Sequence, residues 1–538
     1  MKRPQGNNSK GLITLLADKV ILYDTTLRDG AQTEGVSFST EDKLEILQRL
    51  DEFGIDFVEG GWPSSNPKDD LFFARAKEIE LKNTRLVAFG STRRAKSSAD
   101  RDAGLASLIA AGTEWICIFG KTWDLHVEKA LQVSLEENLR IVEESVRHLK
   151  DNGKRVIFDA EHFFDGYKDN PGYALEVLQA AERGGAEWLV LCDTNGGSLP
   201  YDVGRAVKKV MATVSKPVGV HCHNDSDLAV ACSHAGVRMG STMVQGTING
   251  IGERCGNANL CSVIPNLMLK LGVSTNVKDL KRLRSLSTYV GEMSNMFPQP
   301  GMPFVGDRAF AHKGGVHVSA MARDSRTYEH VDPSVVGNRR RILISEMSGT
   351  SNILEKVREF GIDDSKEESR PILEHIKTLE SQGFQFEGAE ASFELLVRRF
   401  REEQVTPFEL QGFRLYIDSQ RGSVLSSEAS VKVVDRYGNV EHTAADGDGP
   451  VNALDQALRK ALSRFFPRLN DIRLTDYKVR VIDEKAGTAA KVRVLIRSTD
   501  GNSSWTTVGV SENIIEASLM ALVDSMEYIL MKDEYNGD

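Results

Sequence analysis

Several features are missing from this chain of 538 residues, and each absence excludes a class of protein. It has no apolar run long enough to span a bilayer, so we expect no membrane partner. The N-terminal stretch MKRPQGNNSKGLITLLADKV lacks the apolar segment and the cleavage site of a secretory signal. We interpret residues 1–18 as a flexible tail. The net charge of −10 argues against a nucleic-acid partner.

Cysteine is also scarce, and its distribution argues against two kinds of site. The six cysteines all lie in the first half of the chain and form no CxxC pair: Cys117, Cys192, Cys222, Cys232, Cys255 and Cys261. A disulfide framework or a thiolate zinc site is therefore not indicated. We expect reduced, mostly buried thiols in a cytoplasmic protein.

A regular alternation of apolar runs and amphipathic stretches fills the first 275 residues. The strand candidates are residues 20–26, 57–62, 85–90, 115–120, 155–161, 188–194, 217–223 and 241–247. Continuous apolar strands are typical of parallel sheets that are covered on both faces. Eight strand–helix repeats in about 250 residues favour a (β/α)8 TIM barrel, here over residues 19–275, with a doubly wound open sheet as the alternative.

The rest of the chain changes character twice. Residues 276–400 are rich in helical patterns and predict helical linker or lid subdomains. Residues 401–538 combine alternating strands with two helices, in a weak duplication that predicts an α+β domain. Gly and small polar residues precede both helices, in GDGPVNALDQAL and VGVSENIIEASL. Free N–H groups there could receive a carboxylate, although ordinary helix capping is the simpler interpretation.

Polar residues follow the predicted barrel strands, where barrel enzymes place their active sites. They are Arg28 and Asp29 after strand 1, Glu161 at strand 5, Asp193 and Thr194 at strand 6, His221 and His223 at strand 7, and Asn257 after strand 8. Barrel closure makes strand 8 the neighbour of strands 1 and 7, so Asp29, the two histidines and Asn257 can converge. Two imidazoles with carboxylate and amide oxygens suit Mn²⁺, Zn²⁺, Co²⁺ or Mg²⁺. Arg28 could stabilise an oxyanion beside such an ion.

Three motifs in this order carry a family resemblance: DTTLRDGAQ (24–32), HCHND (221–225) and GIGERCGN (250–257). They resemble the acyl-CoA-condensing metalloenzymes, which comprise the 2-isopropylmalate, homocitrate and citramalate synthases. Further stretches, such as EGGWPSSNPKD (59–69) and YEHVDPSVVGNRRR (328–341), most resemble the citramalate branch. The resemblance extends over essentially the whole chain.

This resemblance implies an activity and a set of residue roles. The family joins acetyl-CoA to a 2-oxo acid in a Claisen-type condensation and hydrolyses the thioester; in the citramalate branch the 2-oxo acid is pyruvate. The expected metal ligands are Asp29, His221, His223 and Asn257. Arg28 would polarise the ketone, Thr194 would bind the carboxylate, Gln32 would line the pocket, and Glu161 would position acetyl-CoA and take part in proton transfer.

Two further catalytic residues lie outside the barrel. The resemblance identifies His317 as the general base and Tyr328 as its companion, on a lid that covers the partner subunit's site in a homodimer. His312, in the same AHKGGVH segment, is the competing base. The C-terminal domain resembles an allosteric domain, for which isoleucine would be the inhibitor in the citramalate branch.

Other functions remain open at this stage. The first is a synthase that uses a larger 2-oxo acid, such as 3-methyl-2-oxobutanoate or 2-oxoglutarate. The second, from another class, is a metal-dependent acyl-CoA lyase, which the long C-terminal half disfavours. The third is a non-catalytic amino-acid sensor, which the intact metal set and Arg28 disfavour.

Overall fold

The computed structural model describes residues 16–321, 323–343, 356–358, 360, 366–400, 406–418, 426–482, 490–501 and 503–536. The chain forms two compact units. The first contains the residues up to Phe310 together with Val331–Arg339, and the second contains Ala311–His330 and the chain from Arg340 onward. The predicted tail of residues 1–18 lies outside the described residues, except for residues 16–18.

The first unit is built on a closed parallel barrel, as the sequence predicts. Its strands are β1 Ile21–Asp24, β2 Phe57–Gly61, β3 Arg85–Ser91, β4 Trp115–Lys121, β5 Arg155–Glu161, β6 Trp188–Asp193, β7 Val218–Cys222 and β8 Met243–Gly246. Each strand pairs with the next along the chain, and β8 pairs with β1 to close the ring. The TIM-barrel prediction is confirmed, and the open sheet is excluded.

Helices cover the outside of the barrel. They are α1 Thr40–Phe53, α2 Pro67–Ala76, α3 Ala103–Ala110, α4 Asp124–His126, α5 Leu135–Asp151, α6 Phe163–Asp169, α7 Pro171–Gly184, α8 Pro200–Met211, α9 Ala229–Arg238, α10 Leu260–Pro265 and α11 Leu283–Met293. Helix α1 shows why such segments start and stop where they do. Ser39 and Asp42 form a capping box at its start, and Gly54 ends it at φ +99°, where an added Cβ would collide with a backbone carbonyl.

Two apolar layers stabilise this unit. Side chains that point outward from the strands pack against the helices in the larger layer, which includes Val58, Ile118 and Phe158. Inward-pointing side chains fill the barrel itself, among them Phe57 and Trp115, whose ring centroids lie 4.9 Å apart edge to face. The barrel is therefore a packed core, and only its end is open to chemistry.

The second unit contains a short segment, two helices and a duplicated α+β region. Its elements are β9 Ala311–His312, α12 Gly315–Met321, β10 Arg341–Ile342, α13 Lys366–Ser381, α14 Glu390–Phe400, β11 Phe408–Asp418, β12 Ser426–Asp435, β13 Val440–Gly447, α15 Pro450–Leu462, β14 Arg473–Val481, β15 Val492–Thr499, β16 Ser504–Ser511 and α16 Ile514–Asn536. Strands β11–β13 and β14–β16 form two antiparallel sheets, and a helix follows each. Among the described residues, none of the helices has both the length and the apolar character that a bilayer crossing requires.

The duplication is more complete than the sequence pattern indicates. Strands β12, β14 and β15 are predicted by their alternation of apolar and polar residues, whereas β11, β13 and β16 are not. Most side chains of β11 and β13 are exposed or half-buried, so these edge strands show no strong period-two pattern. Strand β16 contains Ser, Thr and Gly, which are as common in loops.

Candidate active site

The turn after β1 brings Asp29 to the barrel end. Asp24 organises this turn, because its carboxylate accepts hydrogen bonds from the backbone N–H of Thr26 at 2.9 Å and from its hydroxyl at 2.8 Å. The Thr26 hydroxyl in turn accepts from the backbone N–H of Ile248, which ties the turn to the end of β8. Asp24 therefore shapes the loop, and Asp29 is the carboxylate that it presents.

The two histidines at the end of β7, His221 in the strand and His223 directly after it, lie beside this carboxylate. The Nε2 atom of His221 lies 3.4 Å from Oδ2 of Asp29, and Nε2 of His223 lies 3.9 Å from the same oxygen. The two Nε2 atoms are 3.2 Å apart. Residues two apart on a strand point to one face, so their convergence follows directly from the HCH sequence.

Asn257 approaches the same point from the loop after β8. An isolated antiparallel bridge joins it to His223, and the carbonyl of Cys222 accepts from the N–H of the following residue, Ala258. The side-chain oxygen of Asn257 is buried and has no hydrogen-bond partner, as is also true of Oδ1 of Asp29. The structure thus brings Asp29, His221 and His223 together and pairs the backbone of Asn257 with that of His223, while the role of Asn257 as fourth ligand stays a prediction.

This arrangement fits a divalent cation. Ligand atoms about 2.1 Å from an ion in an octahedral or tetrahedral site lie about 3 to 3.5 Å from one another, which is close to the separations among Asp29, His221 and His223. Buried oxygens without partners are costly unless a cation or water satisfies them. The donor set of two imidazoles with carboxylate and amide oxygens suits a metal of intermediate hardness, and it leaves open positions for a substrate.

The charges at the site are strongly coupled. Burial alone would raise the pKa of Asp29, but Arg28 and the two imidazoles outweigh it and hold that pKa well below its usual value. Burial and, after it, the neighbouring His221 lower the pKa of His223 to about 3, so this imidazole is neutral at pH 7. An anionic carboxylate and a neutral imidazole are the forms in which these side chains bind metal.

Arg28 lies beside Asp29 and is held from two sides. Its Nε–H donates to the buried carboxylate of Glu59, and its guanidinium carbon lies 3.9 Å from the centroid of the Phe89 ring. The Nη1 atom is 3.4 Å from Oδ2 of Asp29. Burial opposes the charge of Arg28, but Glu59 and Asp29 raise its pKa above the usual value. Arg28 is therefore a fixed cation next to the Asp29–His221–His223 cluster.

Three other predicted residues occupy less constrained positions. The Glu161 carboxylate at the end of β5 pairs with the ammonium of Lys121 at 2.5 Å. The hydroxyl of Thr194 accepts from the backbone N–H of His162 at 2.9 Å, which leaves its own proton available as a donor. Gln32 has an exposed side chain, on the one-turn 3₁₀ helix Gly30–Gln32 that follows Asp29.

Three further polar residues on the barrel strands have roles that the sequence did not indicate. Asp193, which the sequence analysis noted, stabilises its own loop, whereas Glu59 and Gln245, which it did not select, hold residues of the site. Asp193 accepts from the backbone N–H and hydroxyl of Ser198, so it organises its own loop. Glu59 accepts from Arg28 and, at 2.6 Å, from the hydroxyl of Tyr23. Gln245 links His221 to Asp159 inside the barrel. The available signal was a polar residue inside an otherwise apolar strand, as in FVEGG and MVQG.

His317 and Tyr328 lie in the second unit, where their rings stack with centroids 4.0 Å apart and an interplanar angle of 25°. The His317 side chain is exposed. His312 differs, because it is half-buried on β9 and its Nε2 lies 3.5 Å from the carboxylate of Glu329, which Arg340 also holds through two hydrogen bonds. Burial lowers the pKa of His312.

Comparison with known proteins supplies the family. The family model described as HMGL-like matches residues 19–290, which is half of the chain. The chain is 54% identical to an (R)-citramalate synthase of Aquifex aeolicus over 97% of this chain and all of that protein. The chain belongs to the HMGL-like family.

Other family members place the chain more finely. An (R)-citramalate synthase of Geobacter sulfurreducens is 54% identical over 96% of this chain and 98% of that protein. A 2-isopropylmalate synthase of Methanocaldococcus jannaschii is 32% identical over 96% of both chains. Enzymes of the HMGL-like family depend on a divalent metal, and the Asp29–His221–His223 cluster is a site that could hold it.

Two more family models match the rest of the chain. The homocitrate synthase post-HMGL domain-like model covers residues 304–383, which include His317 and Tyr328. The LeuA allosteric (dimerisation) domain matches residues 387–530. After its barrel, the chain therefore matches both a post-HMGL domain-like model and an allosteric (dimerisation) domain model.

Proposed function

We propose that this chain is an (R)-citramalate synthase, which condenses acetyl-CoA with pyruvate and hydrolyses the thioester to give citramalate and CoA. The observation that carries the proposal is the candidate metal-ligand cluster beside a half-buried Arg28, in a chain 44–54% identical over nearly its full length to several (R)-citramalate synthases. In this proposal the barrel (19–275) binds the metal and the 2-oxo acid, the helical lid (276–400) supplies the base, and the C-terminal domain (401–538) is regulatory. We place the enzyme in the cytoplasm.

Asp29, His221, His223 and Asn257 would hold the divalent ion. When bound, such an ion supplies Lewis-acid polarisation of a 2-oxo acid. The native metal is Mn²⁺, Mg²⁺, Zn²⁺ or Co²⁺, since all four accept this mixture of nitrogen and oxygen ligands. The neutral His223 and anionic Asp29 support this role, because neither needs to lose a proton before binding at pH 7.

Arg28 and Thr194 bind the 2-oxo acid. The guanidinium of Arg28 is aimed beside the cluster by Glu59 and Phe89, so a ketone oxygen placed there meets a fixed positive charge. Negative charge develops on that oxygen as the new carbon–carbon bond forms, and a preorganised cation stabilises it. The hydroxyl proton of Thr194 can be donated to the substrate carboxylate. We assign the exposed Gln32, three residues after Asp29, to the lining of the substrate pocket.

Proton transfer at acetyl-CoA is assigned to Glu161, His317 and Tyr328. Among the two candidate bases, the exposed His317 is favoured over His312, which is engaged with the buried Glu329. A base must reach its substrate, and a histidine without a competing carboxylate is free to do so. The stacked Tyr328 ring sets the orientation of His317. As the resemblance implies, this pair acts on the barrel of the partner subunit.

An aromatic cluster beside Arg28 supports pyruvate over larger 2-oxo acids. Phe89, on which Arg28 stacks, lies 5.5 Å from Phe119 and 5.7 Å from Trp62, measured between ring centroids. Phe119 and Trp62 are also 5.7 Å apart. Three mutually packed rings beside the guanidinium form an apolar surface that suits the methyl group of pyruvate and does not suit the distal carboxylate of 2-oxoglutarate.

The second unit supports a homodimer with feedback inhibition by isoleucine. Apolar side chains are exposed at equivalent places on both of its sheets, with Tyr416 and Ile417 on β11 and Val479 and Val481 on β14. Exposed apolar surface of this kind marks a protein interface, and the match is to a dimerisation domain. Gly449 gives α15 no side-chain cap, which leaves N–H groups for a carboxylate.

The decisive experiment measures free CoA release by the purified enzyme with acetyl-CoA and a panel of 2-oxo acids. We expect pyruvate to give by far the highest kcat/KM, with 3-methyl-2-oxobutanoate and 2-oxoglutarate poor substrates. Preference for either of these would replace the proposal by 2-isopropylmalate or homocitrate synthesis. A lyase would instead cleave the carbon–carbon bond of 3-hydroxy-3-methylglutaryl-CoA and release acetyl-CoA without free CoA, so formation of acetyl-CoA from that substrate tests the lyase alternative.

The same assay tests the regulatory proposal. We expect isoleucine to lower the rate with pyruvate, and leucine at equal concentration to have less effect. Removing residues 401–538 should abolish inhibition in any protein that remains folded. Equal inhibition by both amino acids, or none by either, would contradict the isoleucine assignment without affecting the assignment of the reaction.

A further inference from the structure

A buried hydrogen-bonded chain links His221 to the opposite side of the barrel. The Nδ1 atom of His221 lies 2.8 Å from Oε1 of Gln245, and Nε2 of Gln245 donates to Oδ1 of Asp159 at 3.1 Å. Gln245 is fully buried and Asp159 is nearly so. These residues come from β7, β8 and β5, and no role in the reaction has been given to Gln245 or Asp159 above.

Strand register places the glutamine next to the histidine. His221 and Gln245 are direct partners in the β7–β8 ladder, and Gln245 is also paired with Tyr23 of β1. The glutamine side chain then crosses the barrel interior to reach β5. A long amide is the simplest neutral side chain that can bridge this span while satisfying both ends.

The direction of the amide decides which nitrogen of His221 carries the proton. A carboxylate such as Asp159 accepts hydrogen bonds, so it takes the NH₂ group of Gln245 and turns the amide oxygen toward His221. That oxygen can only accept, which requires a proton on Nδ1 of His221. The Nε2 atom, which faces Asp29 and His223, is then left with its lone pair.

We propose that Gln245, oriented by Asp159, is a positioning residue that fixes the ring and the tautomer of His221 for metal binding. The proposal rests on the proposed metal centre and adds a residue that does not touch metal or substrate. Supporting partners of metal-binding histidines commonly contribute about 10–100-fold in affinity. The neutral amide of Gln245 would raise the metal affinity in this way without adding a negative charge next to His221.

The test compares the wild type and four variants by zinc affinity, measured against a chelating indicator, and the fourth variant, His221→Ala, tests the metal centre itself. We expect Gln245→Leu to weaken zinc binding about 10–100-fold, because it keeps the volume and removes both hydrogen bonds. The pair Gln245→Glu with Asp159→Asn exchanges the acid and the amide, and it should restore most of the affinity. Asn338→Leu is the matched control, since Asn338 is a buried amide that bonds to the carbonyls of Phe304 and Gly306.

A second readout separates positioning from general stability. In zinc-loaded protein with ¹⁵N-labelled histidine, we expect a protected Nδ1–H resonance for His221 that disappears in Gln245→Leu and remains in Asn338→Leu. Thermal unfolding shows whether each variant is folded. If Gln245→Leu is destabilised beyond use, Gln245→Asn, which is too short to bridge, replaces it with the same expectation.

The outcomes separate the two proposals. Wild-type zinc affinity in a folded Gln245→Leu protein, together with lost binding in His221→Ala, would overturn the positioning role and leave the metal centre standing. Unchanged zinc binding in His221→Ala would overturn the metal centre itself. Two other outcomes would also overturn the positioning role, because they would attribute the change in zinc affinity to lost packing. One is equal weakening of zinc binding in Asn338→Leu and Gln245→Leu, and the other is no recovery of zinc binding in Gln245→Glu with Asp159→Asn.

Discussion

The two sets of residues proposed for catalysis are held in very different ways. The Asp29–His221–His223 cluster is buried, and parallel strands that pair residue by residue around a closed ring fix its geometry. The His317–Tyr328 pair is exposed, and the helix that carries His317 packs in a small cluster of Val318, Met321 and Ile342. Metal ligands tolerate little displacement, whereas a base on a lid must approach and leave. The residues proposed to hold the metal are therefore buried and fixed by paired strands, whereas the proposed base is exposed.

The largest effect is expected when a member of the Asp29–His221–His223 cluster is removed. His223→Ala removes one imidazole from a cluster whose other members lie within 4 Å, so the metal should be lost and turnover should fall by at least about 1,000-fold. Elemental analysis of the dialysed protein and the CoA assay measure the two effects. Metal content equal to that of the wild type would contradict the ligand assignment.

The second largest effect is expected at His317, and it distinguishes the proposed base from the proposed metal ligands. His317→Ala should lower kcat by about 100–10,000-fold with no change in metal content, because it removes a proton acceptor that is not a ligand. His312→Ala is the matched comparison, and it should reduce thermal stability more than kcat because it removes a partner of the buried Glu329. The opposite pattern would make His312 the base.

A mixed dimer sharpens the same comparison. His317→Ala and His223→Ala subunits, each inactive alone, should regain activity when mixed, if the lid of one subunit serves the barrel of the other. Random mixing makes half of the dimers hybrids with one complete site each, so about a quarter of wild-type activity is expected. Absence of recovery, with hybrid formation shown by mass spectrometry, would place both residues in one chain's site.

Arg28→Ala tests the fixed charge beside the cluster. We expect kcat to fall about 100–1,000-fold while metal content is kept, since a preorganised oxyanion partner is lost. Arg155→Ala is the control, because Arg155 begins β5 at the opposite end of the barrel and pairs with Glu187. Near-normal kcat in Arg28→Ala would exclude the oxyanion role.

The smallest effect is expected at Gln32. Its side chain is exposed, and surface substitutions away from special contacts change free energies by about 0.5 kcal/mol, or roughly twofold in a rate or affinity. Gln32→Ala should therefore change the KM for pyruvate by about that factor. A tenfold increase in KM would show that Gln32 contacts the substrate directly.

Much of the fold was predictable because barrel strands and helices follow local rules. Continuous apolar runs such as the one around Ile118 mark strands buried on both faces, and caps such as Ser39 with Asp42 mark helix starts. The edge strands β11 and β13 were missed because an exposed strand does not need an apolar face. In the first half of the chain, the hydrophobic pattern was therefore enough to predict the order and number of strands. In the second half, the duplicated sheets became visible only from the pairing of the strands in the structure.

The candidate site was predictable only in part. Asp29, His221 and His223 could be selected because their types and their places at strand ends point to metal chemistry, and HCH spacing sets one face. Nothing local indicates that Glu59 would hold Arg28, or that Gln245 would bridge His221 to Asp159. Those contacts join residues 31, 24 and 86 positions apart, and each depends on which strands become neighbours or face each other across the barrel.

The amino-acid sequence was enough to predict the barrel, the candidate metal ligands and the family. Tertiary structure alone decided how Arg28 is aimed, how the imidazole of His221 is oriented, and that His312 is engaged while His317 is exposed. The physical reason is that patterns with periods of two or 3.6 residues encode which face is buried. The partner that a buried polar group finds is decided only when strand register and barrel closure bring distant segments together.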